Sequence, residues 1–261
     1  MHAASFINGR GVTLTEAGKR LLAHGRGLLQ QAQRARQDLE DHRGAPVGRL
    51  AIGVPPSVGR LLTLPLVEAF RARLPKASIT MVEGLSTYVL EWLVQGRIDC
   101  AVVYNVTPAP NVDLQPVLQE RLYLVSARPA GHRGTTADKE VTLAEVAQCE
   151  LVIPSRPHSM RMLLEASMAS TGLKPRIGLE IESVPAILDL VERNPLHAVL
   201  ARAALRGREN HFIARPIVDA DNKQPLAATL WIATSTQRPG GALIEQGTAL
   251  VRELLLKLWT G

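Results

Sequence analysis

The sequence predicts an α/β protein in which a long amino-terminal helix precedes two α/β lobes joined by two passages of the chain. Three observations predict this fold. An apolar stripe at helical spacing runs through residues 14–39, and short β-prone runs alternate with amphipathic stretches from residue 49 onward. A Pro- and Gly-rich segment at 128–140 then separates two sets of similar size. With 261 residues and 46% hydrophobic content, the chain has enough apolar material for about two domains.

The chain opens with a hairpin signal. Asn8-Gly9 lies between two short β-prone stretches, and a tight two-residue turn needs the positive φ angles that Asn and Gly tolerate. Either Thr13 or Thr15 can cap the helix that follows, and the spacing Thr13-x-x-Glu16 fits a capping box. The pattern does not choose between the two threonines.

The predicted helix carries its apolar stripe in a strict alternation of four- and three-residue steps. Leucine occupies mostly one seam position and glycine or alanine the other, so that two backbones can approach closely. We expect self-association through this stripe, with packing of the helix against its own domain as the alternative. The helix should end at Arg43-Gly44-Ala45-Pro46, which is typical of a linker. The predicted dimerisation residues are Leu14, Gly18, Leu21, Gly25, Leu28, Ala32, Ala35 and Leu39.

Positive charge is concentrated near the amino terminus. The chain has a net charge of +6, and residues 1–49 hold eight Lys/Arg against four acidic residues. Basic side chains near phosphates gain affinity by releasing counterions, so this segment fits contact with a polyanion. A solvated helix face explains the same charges equally well.

The first α/β set should form a parallel sheet with right-handed crossovers. It comprises strands at 49–54, 77–82 and 98–104, with helices at 57–74 and 85–95 between them. The run 114–127 is predicted to be a pair of strands around Glu120-Arg121, and 128–140 a loop.

The second set repeats the alternation, and the chain then returns to the first. The expected elements are strands at 151–153, 177–180 and 197–200, helices at 158–171 and 184–193, strands at 212–218 and 227–234, and a closing helix at 242–258. Passages near 120–130 and 215–230 would join the lobes. We therefore expect lobe I at 48–126 and 220–261, and lobe II at 127–219.

Several classes of function find no support in the motifs. The two cysteines, Cys100 and Cys149, lack metal-ligand spacing, which predicts reduced thiols and no metal site. No stretch approaches the ~18 apolar residues of a membrane span, so a cytoplasmic protein without a membrane partner is expected. Gly-x-Ser-x-Gly, Walker and His-Glu-x-x-His motifs are absent from the sequence, so we predict no enzyme, no catalytic residue and no cofactor. Among seven scattered histidines, His158 and His197 are expected to be structural.

Residues 9–18, Gly-Arg-Gly-Val-Thr-Leu-Thr-Glu-Ala-Gly, resemble the wing and the start of the linker helix of LysR-type transcriptional regulators. PPSVGRLLTLPLVEAFRARLP, VEGLSTYVLEWLVQGRIDCAVVY, PSRPHSMRMLLEASMASTG and EIESVPAILDLV resemble that family's effector domain, especially in its nitrogen-assimilation and aromatic-catabolism branches. The resemblance implies a wing remnant at 1–13, a linker helix at 14–43 and a two-lobed, periplasmic-binding-protein-like effector-binding domain at 44–261.

The resemblance also implies a winged helix-turn-helix before Phe6, where this sequence has five residues. We therefore expect the groove-reading helix to be missing, and only weak, sequence-indifferent phosphate contacts from Arg10 and Arg20. A second departure is Arg193-Asn194-Pro195, where the family has a Gly-x-Gly turn. Asn tolerates left-handed φ, so the fold should survive there.

Ligands in open α/β sheets bind beyond the carboxyl ends of the strands, where loops meet helix amino termini. Three loops qualify: Val54-Pro55-Pro56-Ser57, Glu83-Gly84-Leu85-Ser86 and Pro154-Ser155-Arg156-Pro157. Free N–H groups and the helix dipole favour an anion there. The predicted effector contacts are Pro55, Ser57, Ser86, Asn105, Ser155 and Arg156. The serines could equally be helix caps, and Arg156 and Arg161 could pair with surface acids.

These features predict a LysR-type regulator whose partners are DNA in the full-length form, a small organic anion and a second copy of the chain, as a homodimer or tetramer. Ligand binding would favour one arrangement of the lobes, and the paired linker helices would transmit it. The alternative is a stand-alone small-molecule-binding protein, or a dominant-negative dimerisation partner without sequence-specific DNA binding.

Overall fold

The computed structural model describes residues 5–8, 11–41, 46–129, 139–220, 223–237 and 241–260. Along them the strands are β1 (Ser5–Asn8), β2 (Gly11–Leu14), β3 (Gly48–Val54), β4 (Ala77–Glu83), β5 (Cys100–Tyr104), β6 (Val112–Ala127), β7 (Val141–Thr142), β8 (Glu150–Ile153), β9 (Arg176–Glu180), β10 (Ala198–Ala201), β11 (Phe212–Val218) and β12 (Ala227–Ser235). The α-helices are α1 (Glu16–Asp41), α2 (Pro56–Arg73), α3 (Ser86–Val94), α4 (Leu143–Gln148), α5 (Ser159–Ala169), α6 (Val184–Arg193) and α7 (Ala242–Thr260). Short 3-10 helices cover Arg202–Leu205 and Glu209–His211.

The amino-terminal hairpin forms, with a shifted turn. β1 and β2 pair in antiparallel fashion up to Asn8 opposite Gly11, so Asn8 belongs to the strand and not to the predicted Asn8-Gly9 turn. Residues 9 and 10 lie outside the described residues. Thr15 caps the following helix, since its Oγ1 accepts a hydrogen bond of 3.1 Å from the Gly18 N–H. Thr13 lies in β2, so the capping box predicted from Thr13 does not form.

Helix α1 begins at Glu16, which corrects the predicted start at residue 14 and places Leu14 in β2. Leu21 and Leu28 are 64% and 66% exposed. Gly27, which is not one of the predicted seam glycines, approaches the body of the protein, because a Cβ built on it would lie 3.0 Å from the Gln95 carbonyl oxygen, whereas a Cβ on Gly25 would meet nothing within 4 Å. α1 thus contacts its own chain at Gly27, while Leu21 and Leu28 stay exposed. The side chains at 35 and 39, and residues 43–45 of the predicted linker, lie outside the described part.

The first sheet has the order β4-β3-β5-β12-β6. β3, β4 and β5 are parallel, and β12 returns antiparallel to both β5 and β6. Five of the seven β3 residues are buried, as expected for a strand covered on both faces. The largest core includes Leu50, Ile52, Leu66 and Phe70 of this sheet and α2, and it continues into the second half of the chain through residues such as Leu151.

The second sheet is built on the other half of β6. β10 and β11 pair antiparallel with residues 122–127 of β6, and β7 is parallel to β11. β8 pairs with β9 and contacts β10 through a bridge between Leu151 and His197. A separate core packs α6 against this sheet, with Ile187, Val191 and Phe212 at its centre.

β6 corrects the prediction of two strands around Glu120-Arg121. It is one strand of 16 residues that pairs with β12 up to Arg121 and with β10 and β11 beyond it. The change of partner, and not a turn, interrupts the apolar pattern at these two polar residues. β6 is one passage between the sheets, and the chain returns between β11 and β12.

Two local features differ from the prediction. α4 lies in a region for which no helix was predicted, although Thr142 and Glu145 form a capping box that the sequence spells out. Asn194 ends α6 with φ of −134°, so the expected left-handed turn is not used. Its side-chain amide donates to the Leu190 carbonyl oxygen at 3.0 Å, which satisfies that helix end instead. None of the described helices combines the length and apolar character needed to cross a bilayer.

Candidate functional site

A cleft of about 390 Å³ lies where the loops of the two sheets meet. The first sheet contributes the loops after β3 and β4 and the end of β5, and the second contributes the loops after β8, β9 and β10. Its lining is largely apolar, as in most small-molecule sites. The lining residues are Pro55, Pro56, Ser57, Arg60, Leu85, Ser86, Tyr104, His158, Ser159, Met160, Glu182, Ser183, Val184, Pro185, Ala203 and Ala204.

Four helices begin at this cleft: α2, α3, α5 and α6. The amino termini of α5 and α6 are capped by their own side chains, since His158 Nδ1 accepts from the Met160 N–H at 3.3 Å and Ser183 Oγ accepts from the Ala186 N–H at 3.4 Å. α2 and α3 have no side-chain cap. α2 offers the cleft the Ser57 N–H, because Pro56 has no N–H and the Val58 N–H donates to the Pro55 carbonyl oxygen at 3.0 Å. α3 offers the N–H groups of its first turn, and each helix presents its positive dipole end.

The floor of the cleft is a buried hydrogen-bonded chain. Ser86 Oγ accepts from the Tyr104 N–H at 3.0 Å, and the Tyr104 hydroxyl donates to Glu120 Oε2 at 2.5 Å. All three residues are at least 94% buried. Burial, followed by repulsion from the Glu120 carboxylate, holds the pKa of Tyr104 well above its ordinary value. Burial also raises the pKa of Glu120, against the hydrogen bond from Tyr104, which lowers it.

Charged groups are few in this lining: Arg60, His158 and Glu182. Arg60 already donates to the Arg206 carbonyl oxygen at 3.0 Å, a contact that ties α2 to the segment after β10. Burial lowers the pKa of His158. Because its Nδ1 accepts the Met160 N–H, the neutral ring carries its proton on Nε2. Around neutral pH the cleft thus balances one cation against one anion.

The structure brings together three of the six predicted effector contacts: Pro55, Ser57 and Ser86. The other three, Asn105, Ser155 and Arg156, lie outside the lining. Asn105, at φ 45°, accepts from the Thr229 N–H at 2.8 Å through Oδ1 and thereby fixes the end of β5. The Ser155 carbonyl oxygen accepts from the His158 N–H at 3.1 Å in the turn before α5.

Arg156 pairs with Glu165 and is mostly exposed. Arg161 also pairs with Glu165, reaches Glu180 of β9 and donates to the Pro154 carbonyl oxygen at 3.1 Å. In the structure both arginines thus pair with acidic residues, which was the alternative to ligand binding. Arg161 thereby holds the loop after β8 in place without entering the cleft.

The sequence prediction missed Arg60, Tyr104, Glu182 and Ser183. Tyr104 ends a predicted strand and was therefore discoverable by the same rule that selected Ser57. Ser183 precedes a predicted helix and is a recognisable cap. Glu182, Arg60 and the two alanines after β10 enter the cleft only through tertiary structure.

The remaining predicted contacts lie elsewhere. Arg20 is an exposed residue of α1, and Arg10 lies outside the described residues. Among the described residues, no group of three or more His, Cys, Asp or Glu side chains could hold a metal ion.

Comparison with known proteins gives consistent matches. Residues 43–255 match the model of the LysR substrate binding domain. The nitrogen assimilation regulatory protein nac of Klebsiella aerogenes is 30% identical over 253 residues, which cover 95% of this chain and 78% of that protein. Its counterpart in Escherichia coli K12 is 27% identical over the same coverage.

Solved structures show the same fold. Full-length CbnR in complex with its target DNA superposes with a TM-score of 0.69 at 20% identity, over 92% of this chain and 82% of that one. The regulatory domain of Synechocystis PCC6803 CcmR, in complex with 2-PG, gives 0.68 at 14% identity, over 79% and 97% of the two chains.

Proposed function

The chain belongs to the LysR family of transcriptional regulators, and on that premise we propose that its two-lobed body senses a small organic anion in the cleft. Its relatives are transcriptional regulators, so the function that we propose for the cleft is ligand binding and not catalysis. The single observation that carries it is the meeting of four helix amino termini around an apolar cleft.

The ligand chemistry follows from the uncapped helices α2 and α3. No capping side chain accepts from the Ser57 N–H of α2 or from the first-turn N–H groups of α3, and Ser57 adds a hydroxyl at the cleft wall. A carboxylate satisfies such donors and gains from the helix dipoles. Leu85, Met160 and Val184 cover the rest of the ligand, so its body is apolar. The class proposed is an organic carboxylate with an aromatic or branched aliphatic body.

The regulatory output follows from contacts on both sides of the cleft. A ligand held by α2 and α3 on one side and by the loops before α5 and α6 on the other stabilises one arrangement of the two lobes. We propose lobe I at 48–126 and 220–261 and lobe II at 127–219, with α1 pairing two copies through its exposed leucines. Paired α1 helices would carry the change to a DNA-binding head, and CbnR is a family member solved with its target DNA.

Isothermal titration calorimetry with benzoate, salicylate, 2-oxoglutarate and isovalerate tests the cleft. We expect saturable binding of at least one carboxylate by the parent protein, and none by Ser57→Phe, which fills the cleft beside α2. Arg156→Ala is the matched control, because Arg156 lies outside the lining and should bind like the parent. Equal binding by Ser57→Phe and the parent, or loss of binding in Arg156→Ala alone, would contradict the proposed site.

A further inference from the structure

A second cavity of about 410 Å³ adjoins the cleft and is unused by the proposed function. We name it the junction cavity. Its principal walls are Glu120 and Arg121 of β6, Arg202 and Arg206 of the segment after β10, and Leu258 and Trp259 of α7. It shares Ala203 with the cleft, and the Tyr104–Glu120 hydrogen bond separates the two spaces.

Three guanidinium groups face this cavity, and two of them are held in place by the fold. Arg206 donates to the Leu258 carbonyl oxygen at 3.1 Å, and the Arg202 guanidinium lies 6.0 Å from the centre of the Tyr123 ring. The Arg121 guanidinium makes no hydrogen bond with any residue that the structure describes, although the Arg121 backbone pairs with Ala227 of β12. Each guanidinium has five N–H donors, so most of their hydrogen-bonding capacity remains open to a ligand.

The acidic groups of the cavity do not cancel this charge. The Glu120 carboxyl is buried and already accepts from the Tyr104 hydroxyl. Glu209 is the other acid in the lining, and it is held by backbone N–H groups, including that of Gly207. Three arginines therefore face two carboxyl groups that are already engaged, which leaves a net positive cavity even when both are ionised.

We propose that the junction cavity binds a small oxyanion carrying two or more negative charges, such as a phosphate compound or a polycarboxylate. Arginine pairs with such groups in bidentate geometry, and the charge-assisted hydrogen bonds are strong. The ligand would bridge the Arg202–Arg206 segment and the end of α7. That segment also supplies Ala203 and Ala204 to the cleft, so an occupant here bears on the wall of the effector site.

Trp259 provides the readout, because its indole lines the cavity. Fluorescence is titrated with inorganic pyrophosphate in one arm and citrate in the other, in low-salt buffer with the full chain. Trp259→Phe assigns the signal against the background of Trp92 and Trp231. We expect a saturable change in at least one arm, and the arm that responds distinguishes phosphate chemistry from carboxylate chemistry. A strictly linear response in both arms, or none, overturns the proposal.

The variants decide whether the arginines bind the ligand. Arg121→Gln combined with Arg202→Gln should raise the dissociation constant about tenfold or more, as expected when charge-assisted hydrogen bonds are lost. Arg71→Gln combined with Arg193→Gln removes the same charge from α2 and α6 and should leave binding unchanged. Equal loss in both pairs would indicate general charge screening and would refute the site.

The proposal can still be tested if the double variant Arg121→Gln, Arg202→Gln fails to fold. Arg121→Gln alone replaces an exposed side chain without a described partner and should weaken binding in the same direction. The effector cleft is tested separately by Ser57→Phe, which leaves the junction cavity intact. Failure of either proposal therefore leaves the other standing.

Discussion

The hydrogen bond between Tyr104 and Glu120 should make an unusually large contribution to stability for a single hydroxyl. The two side chains are 3% and 6% exposed, and their oxygens lie 2.5 Å apart. Tyr104→Phe removes the donor without changing the packed ring. The Glu120 carboxyl is then left buried without the hydroxyl that serves it.

The magnitude depends on the charge of the acceptor. A hydrogen bond to a charged group contributes about 1.5–3 kcal/mol, and one between neutral groups about 0.5–1.5 kcal/mol. Tyr104→Phe should therefore cost about 1.5–3 kcal/mol at pH values above the raised folded pKa of Glu120, and about 1 kcal/mol less in a Glu120→Gln background. For a chain of this size each kcal/mol lowers Tm by roughly 2–4 °C.

The pH dependence has a definite sign. Burial raises the pKa of Glu120 in the folded protein, so the folded state keeps a proton that the unfolded chain releases near the ordinary carboxyl value. This contribution to stability is complete at pH values below that ordinary range and is lost as pH rises through the folded pKa. Glu120→Gln removes the loss and should gain stability over the parent as pH rises from 5 to 8.

Urea unfolding at pH 5 and pH 8 measures all four members of this cycle. Tyr88→Phe is the matched control, because Tyr88 is 44% exposed and its hydroxyl should contribute little. If Tyr104→Phe costs the same free energy in both backgrounds and at both pH values, the buried charge is not what the hydroxyl stabilises, and the reasoning fails.

Three further predictions concern the helices. Leu28→Asp should shift sedimentation toward the monomer, because Leu28 is 66% exposed on the face proposed to pair; an unchanged dimer excludes that face. Burial lowers the pKa of His158 in the folded state, so the parent should lose stability as pH falls below the ordinary histidine range. His158→Asn keeps a cap for the Met160 N–H but does not titrate. Thermal melts of this variant should therefore depend less on pH between 5 and 7.5 than those of the parent. Gly84→Ala should cost about 1–3 kcal/mol in urea unfolding, because its Cβ would lie 2.6 Å from the Trp92 ring, and Trp92→Phe in the same chain should recover part of that loss.

Most of the fold follows from local sequence patterns. The strands from β3 to β5 and the helices between them were predicted because their apolar periodicity is set within each segment. The continuity of β6 was not, since its interruption at Glu120-Arg121 is a change of pairing partner between two sheets. α4 was missed for a different reason: its capping box is visible in the sequence, but one turn and a half of helix shows little periodicity.

The site was predictable where a strand leads directly into a helix. This rule placed Ser57 and Ser86 in the lining. β5 leads into β6 and not into a helix, so Tyr104 follows only from the broader rule that ligands bind beyond the carboxyl ends of strands. It failed for Arg156, because a guanidinium can serve either a ligand or an acid on the next helix. Once α5 has formed, the carboxylate of Glu165, nine residues later, accepts a hydrogen bond from the Arg156 guanidinium. The choice between these partners depends on helix geometry and not on the loop sequence.

Arg60 both carries the positive charge of the cleft lining and connects the two sides of the cleft. It is the cation of the lining, and its guanidinium also donates to the Arg206 carbonyl oxygen across the junction. An incoming carboxylate competes for this guanidinium with a neutral carbonyl, and a charge-assisted hydrogen bond is the stronger of the two. Arg206 in turn donates to the Leu258 carbonyl oxygen, so the end of the segment after β10 is tied to both α2 and α7. Under the proposed function, a carboxylate that takes the Arg60 N–H now bonded to Arg206 would loosen one of these ties, whereas an uncharged ligand of the same shape would leave both in place. We therefore propose that charge on the effector, and not only its fit to the apolar walls, couples occupancy of the cleft to the arrangement of the lobes.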